Sequence, residues 1–287
     1  MQSLSWLKQD MEFSRGFEEI VDVLKTAVLI QFHAVQEKEK INKEYLKQIE
    51  ECFAFLDPTK IRHPYLFERQ DLPAALVVVT SDEGFLGELN SLLINTTIDK
   101  RSRTQEDKIF VLGERGARYL EDMNEKFSFF SGISDDVEYR EVQGLRNFLL
   151  DAYHKKFGKI LVIYPEFVSL TNQHVRAYQL LPYAEFNVGQ RALHTAVEDM
   201  LFEPDAARVI EMLIELWMGI KLLEIFWSSK QSEYAARIMH LDGSMQELKF
   251  INQKIRYEYF RQAHALKDNA IREITASRVL LTEHNKF

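Results

Sequence analysis

The sequence predicts an α/β fold joined to long α-helices: an antiparallel two-helix coiled coil formed by the chain's two ends, with an α/β domain inserted between them. Three observations carry this expectation. Apolar residues recur in alternating steps of three and four through both terminal segments. Between those segments, β-branched runs alternate with helical stretches. Only 6 prolines and 11 glycines stand among 287 residues, so few elements are interrupted.

The first segment, residues 1–57, is read as one or two long helices. Phe13, Phe17, Ile20, Leu24 and Ala27 make one expected seam, and Leu46, Ile49, Phe53 and Leu56 another. Gly16 and the charged run Glu37 to Lys40 interrupt the apolar pattern without ending it. Asp57-Pro58 ends it, because proline cannot continue the hydrogen-bond ladder.

Residues 58–203 have a different texture. After a polar linker, Thr59 to Leu72, the run Ala74 to Thr80 suits a strand buried on both faces. Ile109 to Leu112 and Lys159 to Tyr164 repeat that texture, and Val175 to Leu181 is expected at a sheet edge. Phe85 to Asn95, Glu114 to Lys126 and Val137 to Lys156 read as helices. This alternation predicts a mainly parallel, Rossmann-like α/β domain.

Residues 204–287 begin with Pro204 where a first helical turn tolerates it. Val209, Leu213, Leu216, Ile220, Leu223 and Trp227 keep the coiled-coil spacing. Ile238, Leu241, Met245, Leu248, Ile251, Ile255 and Tyr259 extend it. A single helix over Asp205 to Leu281 is about 115 Å long at about 1.5 Å per residue. Alone it would leave its apolar stripe wet, so the N-terminal segment is its expected antiparallel partner. Being longer, it should run past that partner or be sheathed by other proteins.

Composition excludes several classes. The net charge of −8 and the lack of a dense basic stripe argue against nucleic-acid binding. No basic start followed by an apolar block suggests a signal peptide. The most apolar stretch, Val209 to Trp227, carries Glu211, Glu215, Lys221 and Glu224, so it reads as an amphipathic helix and not a membrane span. A cytoplasmic location is the expectation. Cys52 is the single cysteine, which removes internal disulfides and thiolate zinc clusters; it reads as a small packing residue.

Few residues suggest chemistry. Ser81 to Asn90, SDEGFLGELN, is a strand-to-helix junction with Gly84 and Gly87. Such a junction can hold phosphate at a helix N-terminus, or it can be a tight structural turn. The G-x-x-G spacing matches neither nucleotide motif, and Glu83 and Glu88 repel anions. Gly113 to Gly116, GERG, is read the same way. Asp82 and Glu83 stand where α/β enzymes keep catalytic groups, although Asp82 is equally suited to cap a helix. The eight histidines are scattered without metal-ligand spacing, and Ser81, Ser169 and Ser232 lack a nucleophile-elbow context. Arg237, Arg256, Arg261, Gln262 and Arg272 are either a solvated helix face or planar donors for carboxylates on a partner.

Five strings then coincide. SDEGFLGELN is similar to the SDRGLCGGLN of the gamma subunits of F-type ATP synthases, the central rotor shaft. YPEFVSLTNQ with LLP at Leu180 to Pro182, FEP at Phe202 to Pro204, SEYAAR at Ser232 to Arg237 and YEYFRQA at Tyr257 to Ala263 follow in the family's order. The chain therefore resembles a divergent gamma subunit. In the family's N-terminal motif only Lys25 and a few apolar positions survive. After Ala263 the family pattern is replaced by His264 to Asp268, with Glu273-Ile274 further on.

The resemblance implies a non-catalytic shaft inside a hexamer of alpha and beta subunits. Its α/β domain would lie toward an epsilon subunit and a membrane rotor ring, at the cytoplasmic face of the cell membrane, with no cofactor or metal. By the same resemblance, Arg261, Gln262 and Lys25 would contact loops of the catalytic subunits. Ser81, Asp82, Gly84, Gly87 and Asn90 would shape the turn. The rival readings are a non-rotary interaction scaffold of the same ancestry and a stand-alone α/β enzyme using the Asp82 to Asn90 turn.

Overall fold

The computed structural model describes residues 4–53, 63–67, 69–102, 106–137, 139–183 and 203–284, with side chains through 277. Asp57-Pro58, Leu56 and Phe202 lie outside the described residues. The chain divides into two compact units, one of Met1–Ala27 with Leu241–Phe287 and one of Val28–His240.

Two helices contribute to both units: α1, Leu4–Phe53, and α5, Ala206–His284. α5 starts one residue later than the sequence suggests. Pro204 stays outside it, and Asp205 caps it, with its Oδ1 accepting from Arg208 N at 2.9 Å.

In the first unit the helices pair antiparallel. Lys25 is ion-paired with Asp242, and Asn252 Nδ2 donates to Glu18 Oε2 at 2.9 Å, so the α5 numbers fall as the α1 numbers rise. The buried stripe of α1 is Leu7, Ser14 and Val21, and α5 buries Leu241 and Met245 in the same unit. This corrects the expected seam. The heptad period is right, but Phe13, Phe17, Ile20, Leu24 and Ala27 lie one position off it and are exposed. On α5, Ile251 is likewise exposed and Asn252 takes the seam position. Polar side chains at Ser14, Glu18, Lys25 and Asn252 explain the displaced reading. They occupy core-facing positions, which costs stability and pins register.

The second unit is built around a five-stranded sheet of order β3-β2-β1-β4-β5. Its strands are β1 Ala74–Val79, β2 Lys108–Leu112, β3 Phe127–Phe130, β4 Lys159–Ser169 and β5 Asn172–Leu181. The first four run parallel, and β5 pairs antiparallel with β4 at the edge. The helices are α2 Leu89–Lys100, α3 Glu114–Asp122 and α4 Tyr139–Lys155. Leu76, Val78, Ile109 and Val111 face a core completed by Leu93 and Ile94 of α2 and Leu120 of α3. Ala75, Val77, Val79 and Val162 face the opposite core, where α4 meets Leu46 and Phe53 of α1 and Trp217 and Met218 of α5. Alternate residues of β1 thus enter different cores, as the strand's period of two requires.

Two differences from the expected elements have local causes. α2 begins at Leu89 and not at Phe85, because Phe85 (φ 63°) and Gly87 (φ 58°) hold left-handed conformations that a helix cannot use. β3 was not expected. Its four residues, FSFF, are half-buried or exposed and show no alternation that reads as a strand.

Candidate functional site

The C-terminal ends of β1 and β4 form the place where the sheet's connections change direction. β1 leads to α2 on one face, and α4 returns the chain to β4 on the other. Open α/β sheets present their ligand crevice at such a point. Here it is lined by Thr80, Ser81, Asn90, Pro165 and, from α5, Lys230 and Glu233. The chain's own helix fills the position a ligand would take, and it brings a buried carboxylate that opposes phosphate.

The turn after β1 is held by its own polar groups. Ser81 N donates to Asn90 Oδ1 at 3.3 Å, Asn90 Nδ2 donates to Ser81 Oγ at 2.9 Å, and Ser81 Oγ donates to Glu83 O at 2.9 Å. Asp82 Oδ1 accepts from Glu114 N at 2.9 Å, so it caps α3 and not the helix that follows it in sequence. Thr80 Oγ1 donates to Leu112 O at 2.6 Å and accepts from Gly116 N at 3.1 Å. Gly113 stands at φ 100°, and a Cβ there or at Gly116 would collide with Thr80. The two glycines of GERG thus let α3 start directly against β1.

α5 grips this edge of the sheet through SEYAAR and the residues just before it. Ser232 Oγ donates to Pro165 O at 3.0 Å, and Phe167 N donates to Ser228 Oγ at 3.2 Å. Lys230 Nζ lies 3.1 Å from Asp135 Oδ1, and Tyr234 OH donates to the same oxygen at 2.8 Å. Arg237 Nη2 reaches Glu233 Oε1 at 2.7 Å and Glu83 Oε2 at 3.1 Å, while its Nε points at Gly84 O at 3.5 Å. Arg237 is therefore buried and doubly paired, not on a solvated face.

The two carboxylates that share Lys230 titrate in opposite directions. Burial works against the ionised form of both. For the half-exposed Asp135, the Tyr234 hydrogen bond and the Lys230 charge outweigh burial, so its pKa falls below the ordinary aspartate value. Glu233 is almost wholly buried, and there desolvation exceeds the help from Lys230 and Arg237, so its pKa rises. Burial, then the hydrogen bond to Asp135, pushes the Tyr234 phenol up.

The first unit carries the other named residues. Arg261 is exposed and Gln262 half-exposed on α5, and residues 264–277 beyond them are all exposed. Lys25 is half-buried and engaged with Asp242. Beside the seam, α1 keeps a second apolar stripe wet: Phe13, Phe17, Ile20 and Leu24. Such a contiguous exposed stripe marks a surface that a partner covers. Among the described residues no group of three or more His, Cys, Asp or Glu side chains stands close enough to hold a metal. Among the same residues, no helix is long and apolar enough to cross a membrane.

Three of the five strings named from sequence, SDEGFLGELN, YPEF and SEYAAR, meet at this one edge. The ordinary propensities of their residues give no hint of that meeting. Asp135 is missed by sequence reading, since it lies in a short polar connection without a pattern of its own.

Fold and site define a class: one unit is an α/β sheet gripped by a long C-terminal helix, and the other is an antiparallel helical pair whose surface is partly apolar. A family model described as ATP synthase matches residues 3–278. The ATP synthase gamma chain of Mannheimia succiniciproducens is 22% identical over 286 residues, covering 96% of this chain and 98% of that one. The gamma chain of Sorangium cellulosum is 28% identical over 243 residues, covering 78% and 74%. Among solved structures, a chain of the Euglena gracilis mitochondrial ATP synthase, seen with OSCP, F1 and c-ring, superposes with a TM-score of 0.67. It covers 99% of this chain and 96% of that one at 13% identity, a likeness of fold. The chain belongs to the ATP synthase family.

Proposed function

We propose that this chain is the gamma subunit, the central-stalk rotor, of a rotary ATP synthase or ATPase. One observation carries the reading: the helix pair of the first unit satisfies one apolar stripe and leaves a second one wet, as a shaft seated in a close-fitting sleeve requires. The sleeve is the hexamer of alternating alpha and beta subunits. Similar structures, in which a central stalk or F1 is seen with the c-ring, support a membrane rotor ring as a further partner; an epsilon subunit completes the proposed set.

The chain is not itself a catalyst. Its work is population shift: an asymmetric shaft packs differently against three otherwise equivalent catalytic subunits, so each angle favours a different conformation in each. Nucleotide affinity changes at sites the shaft does not touch. Arg261 and Gln262 present planar donors for acidic or polar loops of the head. Lys25 is held by Asp242 and contributes at the rim of the seam. Ser81, Asp82, Gly84, Gly87 and Asn90 keep the turn in shape. The working parts are 1–57 and 204–287 as the helical shaft and 58–203 as the α/β domain. The complex sits at the cytoplasmic face of the cell membrane and binds it through the ring.

Co-expression with the candidate alpha and beta subunits, followed by size-exclusion chromatography and an ATPase assay, tests this. A shaft elutes with the head, supports its turnover and has no nucleotide turnover alone. A chain that elutes apart from the head, or hydrolyses nucleotide alone, is not a rotor.

A further inference from the structure

We propose that the Lys230–Arg237 turns of α5 form an angular lock that stops the α/β domain from slipping around the helix under torque. The proposal rests on the rotor reading and adds to it the residues that deliver torque.

Three pairs spaced four apart grip three different pieces of the second unit. Ser228 and Ser232 hold the β4–β5 side through Phe167 N and Pro165 O. Arg237, steadied by Glu233 one turn before it on α5, holds the turn after β1 through Glu83 and the Gly84 carbonyl. Lys230 and Tyr234 hold Asp135. At about 100° per residue, these pairs face roughly 0–40°, 140–180° and 200–240° around the helix. The grips therefore spread over more than half of its circumference. No rotation about the helix axis can relieve one without straining another.

The apolar core around Trp217 and Met218 cannot do this work alone. Hydrophobic burial is non-directional and resists separation more than sliding. Lys230 and Arg237 are buried cations whose hydrogen-bonded pairs with Asp135 and Glu83 have defined geometry, and losing that partner leaves a buried charge less compensated. The cost of burying Glu233, visible in its raised pKa, is consistent with a group kept for geometry and not for stability. Lys230, Arg237 and Asp135 are positioning residues: they act on the angle of the domain and touch no nucleotide.

The test uses the assembled complex in inverted membrane vesicles, made with its own partner subunits, reading ATP hydrolysis and ions pumped per ATP against an opposing gradient. The variants are Asp135→Asn, Arg237→Met and the two together, with Arg237→Lys as the conservative control. Arg237→Met leaves Glu233 buried with Lys230 alone, so the locked population falls by about a hundredfold or more, whereas loss of the half-exposed Asp135 charge lowers it only by about a few-fold. In the double variant, hydrolysis stays within about twofold while pumping per ATP falls several-fold, and Arg237→Lys keeps most of it. Asp135 is half-exposed, so its variant folds and assembles even if Arg237→Met does not. An unchanged pumping ratio in the assembled variants overturns the lock. So does a parallel fall in hydrolysis and pumping that Arg237→Lys shares. If the unsubstituted complex hydrolyses ATP without pumping, the rotor reading itself fails.

Discussion

Replacing Phe13, Phe17 and Ile20 together by serine separates surface from seam. These residues are 73%, 47% and 56% exposed. Fully burying such a side chain is worth about 1.5–3 kcal/mol, so the exposed fractions leave about 3–5 kcal/mol for a partner to gain. Ordering costs take back part of this, and we expect at least about a tenfold loss of affinity for the alpha/beta head. The isolated chain should hardly notice, because surface changes stay within about 0.5 kcal/mol each. Serine and phenylalanine also have similar helix propensities. Val21→Ser is the opposite control: Val21 is buried in the seam, and its loss should cost the isolated chain about 1–3 kcal/mol. Thermal unfolding of each chain and a titration of each against the head give both numbers. If the triple variant unfolds several degrees lower, or binds the head unchanged, the exposed stripe is not a partner surface.

Other consequences are independent of that stripe. Arg261→Ala with Gln262→Ala should lower the ATPase rate of the reconstituted head by at least about threefold, the scale of a truncated arginine anchor, with the isolated chain equally stable. Unchanged turnover would remove the contact. Glu233 has a raised folded-state pKa, so the fold binds its proton more tightly than the unfolded chain does. Its contribution to stability is largest below the ordinary glutamate range and is lost as pH climbs through the raised value. Glu233→Gln should flatten that decline in unfolding curves taken across pH. The lowered pKa of Asp135 acts in a separate, more acidic window, where its contribution is lost as pH falls. Gly113→Ala places a Cβ against Thr80 at φ 100° and should destabilise the second unit by about 1–3 kcal/mol, read as a lower unfolding midpoint.

The α/β order was legible because β1 and the first half of β4 are continuous apolar runs, the signature of strands buried on both faces. The helical ends were legible in period but not in phase. A heptad reader follows the largest apolar side chains, and here those lie on the wet stripe, whereas Ser14, Glu18 and Lys25 face the other helix. β3 was hidden because an exposed edge strand of four residues has no burial pattern to read. Sequence leaves Arg237 between a solvated face and a donor to a partner's carboxylate, because it cannot see that the turn after β1 and its Glu83 come to meet that side chain. Arg261 and Gln262 were identified through family resemblance; nothing in their spacing distinguishes them from other exposed helix residues.

The most direct measurement uses the single cysteine. Cys52 is exposed on α1, so a probe can be attached there and followed on a surface-held alpha/beta head whose own cysteines have been replaced. During ATP hydrolysis the probe should turn in discrete steps in one direction and halt when nucleotide is withdrawn. A probe that stays still while the same complex hydrolyses ATP would contradict the account.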